Sequence, residues 1–128
     1  MSTAQVTPMR PTCVLICALG GEGGGVLAEW LYGAAVRAGH AAQSTSVPGV
    51  AQRTGATTYY IEVWPQPAST HPGRRPVFSL NPVPGGVDLL VSSELLETAR
   101  QVANGMVSAD RTVVISSAGK TFSCTGWK

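Results

Sequence analysis

Five glycines in six positions, Gly20-Gly21-Glu22-Gly23-Gly24-Gly25, follow directly on the apolar, partly β-branched stretch 13–19. Beyond them the apolar period changes. Val26, Leu27, Trp30, Leu31, Ala34, Ala35 and Ala38 recur at three- and four-residue steps and make one stripe, with Glu29 and Arg37 outside it and Gly39 placed to stop a helix. This reads as buried strand, glycine loop, helix, which commits the chain to a layered α/β arrangement. A weakly alternating segment, 42–47, suits a second strand that Pro48-Gly49 breaks, and a glycine-containing connector fills 49–55. Residues 57–64 hold the strongest β formers, and Pro65 is expected to end them. With Pro65, Pro67, Pro72, Pro76, Pro82 and Pro84, residues 65–86 form a long proline-rich excursion with at most one short strand, near 77–80.

The rest repeats the opening theme. Residues 87–92 read as a buried strand, and Ser92 or Ser93 is placed to cap a helix with Glu94 and Glu97 at its positive end. Leu95, Leu96, Ala99, Val102 and Ala103 are expected to face the core, Gly105 to end the helix, and 112–117 to form a further strand. The fold expected is a three-layer α/β/α domain with a mostly parallel, Rossmann-like sheet and right-handed crossovers. One domain spans 1–128, with a flexible N-terminus over 1–11 and an atypical tail over 118–128 that suggests a missing C-terminal part.

Glycines opening a helix leave backbone N–H groups for phosphate oxygens and let a ligand come close. The alternative is that they only let the helix pack tightly on the sheet. A P-loop is excluded, since Val26 stands where the lysine belongs. Gly23, Gly25 and Ala28 satisfy the dinucleotide spacing, but no acidic residue follows near 43–46 for the ribose, so NAD is a weak option. A second cluster, Pro48-Gly49-Val50-Ala51-Gln52-Arg53-Thr54-Gly55, sets an arginine beside Gln52 and Thr54 between two glycines, as donors for an anion or a partner backbone; an ordinary solvated loop is the alternative.

Only 12% of the residues are charged, against ~25% in an average soluble protein, and the net charge is +2. A surface this poor in charge points to coverage by a partner and makes a homo-oligomer plausible. Arg74-Arg75 is the longest basic run, which argues against nucleic acid, and no apolar stretch reaches the ~20 residues of a membrane span. Without an apolar leader, a cytoplasmic address is expected. Cys13, Cys17 and Cys124 make no CxxC, so neither a disulfide framework nor a metal site is expected; Cys13 and Cys17 share one face of a buried strand. His40 reads as a helix-end cation, His71 as a loop residue and Asp88 as a turn former. Nothing resembles a nucleophile elbow, and no residue is expected to be catalytic on its own.

Taken in order, 18–28 with the glycine loop, 47–55, and Asp88-Leu89-Leu90-Val91-Ser92-Ser93-Glu94 resemble the gamma-type domain of 2-oxoacid:ferredoxin oxidoreductases, especially the beta subunit of indolepyruvate-oxidising members. The resemblance covers about residues 13–117. Ala18, Glu22 and Pro48 stand where the family usually has glycine, glutamine and histidine. The resemblance implies an accessory subunit in the oxidative decarboxylation of a 2-oxoacid, in particular an arylpyruvate, to an acyl-coenzyme A, with ferredoxin as acceptor. Thiamine diphosphate and iron–sulfur clusters would sit on a catalytic partner subunit, and no cofactor on this chain alone. Gly20, Gly21, Glu22, Gly23, Gly24, Gly25 and Arg53 would meet coenzyme A phosphates, and Gly49, Gln52, Thr54 and Gly55 the partner's active site. The competing reading is a free-standing nucleotide-binding α/β module.

Overall fold

The computed structural model describes residues 9–48, 56–70, 72–73 and 75–118. The second motif, including Gly49, Gln52, Arg53, Thr54 and Gly55, lies outside the described residues, as do His71 and 119–128 of the tail.

The elements run β1 (Thr12–Leu19), α1 (Gly24–Arg37), β2 (His40–Pro48), β3 (Ala56–Pro67), a 3-10 turn (Ala68–Thr70), β4 (Leu89–Ser92), α2 (Leu95–Ala103) and β5 (Val113–Ser116). The five strands form one sheet in the order β2-β3-β1-β4-β5. β1, β4 and β5 pair in parallel, and β3 runs antiparallel to both β1 and β2. β3 alone therefore opposes the common direction, and the sheet is mostly parallel in strand direction although β3 is wedged between β1 and β2.

β1 is covered on both faces, as a central strand of such a sheet must be. On one face Cys13, Leu15 and Cys17 pack with Tyr60, Val87 and Leu90; on the other, Val14 and Ile16 meet Ala28 of α1 and Ile61. α2 lies over the first face, where Gln101 hydrogen-bonds Cys17 and the Glu97 charge comes close to it. Helices on opposite faces give the three layers expected. The two thiols do share a face, and both are free and buried. Burial first, then the Glu97 carboxylate, pushes the Cys17 thiol up to about 12, so it behaves as a small hydrophobe.

Four local expectations are corrected. The stripe of α1 is only partly inward: Gly24 and Ala28 are buried, whereas Trp30 is 70% exposed and Val26 49%. Small residues bring this helix so close to the sheet that the larger neighbours are turned out. α2 is rotated further, burying Glu97, Thr98 and Gln101 while Leu95, Leu96 and Val102 stay more than half exposed. Besides the apolar cluster, the sheet beneath offers a hydroxyl: Thr98 Oγ1 lies 2.6 Å from Ser116 Oγ, and Glu97 is paired with Arg100 at 3.0 Å. The N-cap of α2 is Glu94, not a serine, and it makes no side-chain capping bond; Ser92 Oγ instead donates to the Glu94 carbonyl at 2.7 Å. Finally, β3 runs on through Pro65. Its register to β2 slips between His40, paired with Pro67, and Ala42, paired with Val63, so Pro65 sits in an irregular stretch where no ladder donor is missed.

Asp88 has a more specific task than a turn. Its Oδ2 accepts the Cys13 N–H at 2.8 Å and its Oδ1 pairs with Arg10, locking the start of β1 beside β4. The proline-rich excursion forms no strand at 77–80 and returns to the sheet. The Ser79 N–H donates to Glu62 Oε2 at 2.9 Å, Thr45 Oγ1 donates to the Leu80 carbonyl at 2.9 Å, and Tyr60 Oη donates to Glu62 Oε1. Burial, then bonds to Cys13 and Glu62, pushes the Tyr60 phenol well above its usual range.

Candidate functional site

Parallel β1 and β4 are neighbours, yet the chain leaves β1 for the helix on one face and β4 for the helix on the other. That divergence opens a crevice at the carboxyl ends of the two strands, the place where open α/β sheets receive ligands. The glycine loop forms one wall, and Ser93 and Glu94 form the other.

The loop divides into two functions. The Glu22 N–H bonds back to the Leu19 carbonyl at 3.2 Å, and Gly21 at φ +84° occupies the position that such a turn reserves for a left-handed residue. Gly23, at φ +81°, is the N-cap of α1 and provides no side-chain cap. Around Gly20, Gly21 and Gly23 an added Cβ would meet open space, and residues 20–23 are exposed. Gly24 differs: a Cβ there would lie 2.5 Å from Ala18 Cβ and 3.1 Å from the Tyr59 ring, and one on Gly25 would lie 3.2 Å from Tyr59 Oη. So close packing explains Gly24 and Gly25, while residues 20–23 are open to a ligand.

Among the described residues the crevice gathers carboxylates. Partial burial, then the Glu22 and Glu97 carboxylates, raises the Glu94 carboxyl above its ordinary range, which places the loop's one charged side chain near the head of α2. Ser93 Oγ is buried without a hydrogen-bond partner among the described residues. Sequence reasoning named Glu22 but overlooked Ser93 and Glu94 as its neighbours, because the fold alone brings residues some seventy positions apart together. An anion held by the amides of Gly20, Gly21 and Gly23 would need a cation to offset these carboxylates, and the candidate for that, Arg53, is not among the described residues.

Among the described residues no group of three or more His, Cys, Asp or Glu is placed to hold a metal, and no helix is long and apolar enough to cross a membrane. Cys13 and Cys17 do not suit an iron–sulfur cluster, since both are packed inside the core.

A second concavity of about 940 Å³ lies at the far end of the sheet, between the last turns of α1, the start of β2, the end of β3 and residues 75–78. His40 belongs here: its Nδ1 is 2.8 Å from the Trp64 carbonyl, so it anchors β2 to β3 and is no mere helix-end cation. The sequence signal for this site is thin, a tryptophan ending a strand and an arginine pair in a charge-poor chain.

Compared with known protein families, residues 13–124 match the model of pyruvate ferredoxin/flavodoxin oxidoreductase. No curated protein matches the chain.

Proposed function

The chain belongs to the pyruvate ferredoxin/flavodoxin oxidoreductase family, and from that premise we propose that it is an accessory subunit completing the active site of a 2-oxoacid:ferredoxin oxidoreductase, with an arylpyruvate such as indolepyruvate as the substrate class. The observation that carries the reading is the apolar flank formed by α2 and β5. Leu95, Leu96 and Val102 on the helix and Val113, Val114 and Ile115 on the edge strand are all exposed. A flank of that kind marks an interaction surface.

In this reading the thiamine diphosphate that cleaves the 2-oxoacid and the iron–sulfur clusters that carry its electrons belong to the partner. The residues of this chain do not fit a cluster, and no step is assigned to them through one. Their task is to bind and close. The open amides of Gly20, Gly21 and Gly23, with Arg53, meet the coenzyme A phosphates, while Gly49, Gln52, Thr54 and Gly55 face the partner. Gly24 and Gly25 serve the same loop indirectly by seating α1 on the sheet. Glu22 and Glu94 oppose a bound phosphate, so Arg53 is the residue on which anion affinity depends most.

The test is native mass spectrometry of the complex purified from its source cell. A large partner carrying thiamine diphosphate supports the proposal. A stable monomer that retains a nucleotide favours the free-standing module instead, and decarboxylation of an arylpyruvate by the isolated chain would overturn the accessory role.

A further inference from the structure

The concavity at the far end of the sheet has a composition unlike the crevice. Three aromatic rings, Tyr32, Trp64 and Phe78, line it together with Val36, His40 and Arg75. Its volume of about 940 Å³ lies within the range of small-molecule sites, ~300–1,000 Å³, which are mostly apolar with a few polar groups that fix orientation.

Besides the Tyr32 hydroxyl and the Trp64 indole N–H, two polar groups among the described residues stand out, Arg75 and His40. Arg75 is exposed and has neither an ion-pair nor a hydrogen-bond partner among the described residues. In a chain with so few charges, a guanidinium at the rim of an aromatic cavity favours a carboxylate, which it can hold through two parallel hydrogen bonds. His40 is oriented by its own bond. A carbonyl only accepts, so the Nδ1 facing Trp64 carries the proton and Nε2 is the ring nitrogen left for a ligand. The aromatic walls suit a flat ring, which stacks or meets them edge-on. Among the described residues no acidic side chain lines the cavity.

We propose that this cavity is a binding site for small aromatic carboxylates, the ring held among Tyr32, Trp64 and Phe78 and the acid by Arg75. It is separate from the crevice: from Ala56, paired with Leu19 beside the glycine loop, to Trp64 is eight strand steps of ~3.3 Å, about 26 Å in all. The proposal therefore stands or falls apart from the accessory role.

The experiment is calorimetric titration of the full chain with indole-3-acetate as probe, beside the uncharged indole-3-acetamide and AMP. The acid should bind about tenfold more tightly than the amide, the difference expected of one charge-assisted contact of roughly 1.4 kcal/mol. Arg75→Gln, a change at an exposed position outside every helix and strand, should make acid and amide bind alike with an unchanged melting temperature. Phe78→Leu should weaken both ligands together. Failure of indole-3-acetate to bind at millimolar concentration, retention of the acid preference in Arg75→Gln, or tighter binding of AMP at the same residues would each overturn the assignment.

Discussion

The two helices of this domain meet the same sheet in opposite ways. α1 comes in through Gly24 and Ala28, so close that a single methyl on Gly24 would collide with Ala18, and it seals its face with Val14, Ile16 and Ile61. α2 comes in through Glu97, Thr98 and Gln101 and leaves its leucines to solvent beside an edge strand that is itself exposed. α2 turns its apolar side away from the sheet, and that is the side the proposed partner would cover. Both faces of the sheet thus enclose a core, but α1 closes over its own with small residues, whereas α2 leaves an apolar face uncovered for the association proposed above.

The comparison is tested most severely in the sealed core. Leu90→Ala should cost ~2–5 kcal/mol in urea unfolding, because Leu90 is fully enclosed and its cavity has little means of collapse. Next comes the close approach of α1: Gly24→Ala should destabilise by ~1–3 kcal/mol, whereas Gly20→Ala, where a methyl meets nothing, should change the melting point little. Equal losses at both glycines would sink the division of the loop. On the open flank, Leu96→Lys should alter the stability of the isolated chain by less than ~0.5 kcal/mol while abolishing recovery of the partner in a pull-down. A large loss of stability there would mean that α2 packs inward after all.

The smallest expected effect is electrostatic. A carboxyl whose pKa is raised by folding favours the folded state when protonated, so wild-type stability falls as pH climbs from the ordinary carboxylate value through the raised one. Glu94→Gln should match wild type in acid and exceed it by a small margin above that window, read from melting curves across pH. A chemical probe sharpens the contrast. With its thiol near 12 and buried, Cys17 should resist iodoacetamide in the native chain at neutral pH and react only on unfolding, as peptide mapping would show.

What could be read along the chain was whatever depends on near neighbours. β1, the glycine turn with its left-handed Gly21 and Gly23, and the stop of α1 at Gly39, φ +88°, follow from local period and from conformations that only glycine adopts cheaply. So does the buried β4 before α2. The proline rule failed at Pro65 because an irregularity in the pairing of two strands absorbed it, and pairing is not local.

Which side of each helix is buried was decided only by the tertiary structure. An apolar stripe announces that a face wants cover but not that its own sheet will supply it; the sheet under α2 presents Ser116 and the Cys17 thiol, and polar side chains answered them. The same holds for both candidate sites. Glu22 comes near enough to Glu94 for their charges to act on each other, and Tyr32 shares a cavity with Phe78, through the order of the strands, since burial is a property of the assembled surfaces and not of the residues that line them.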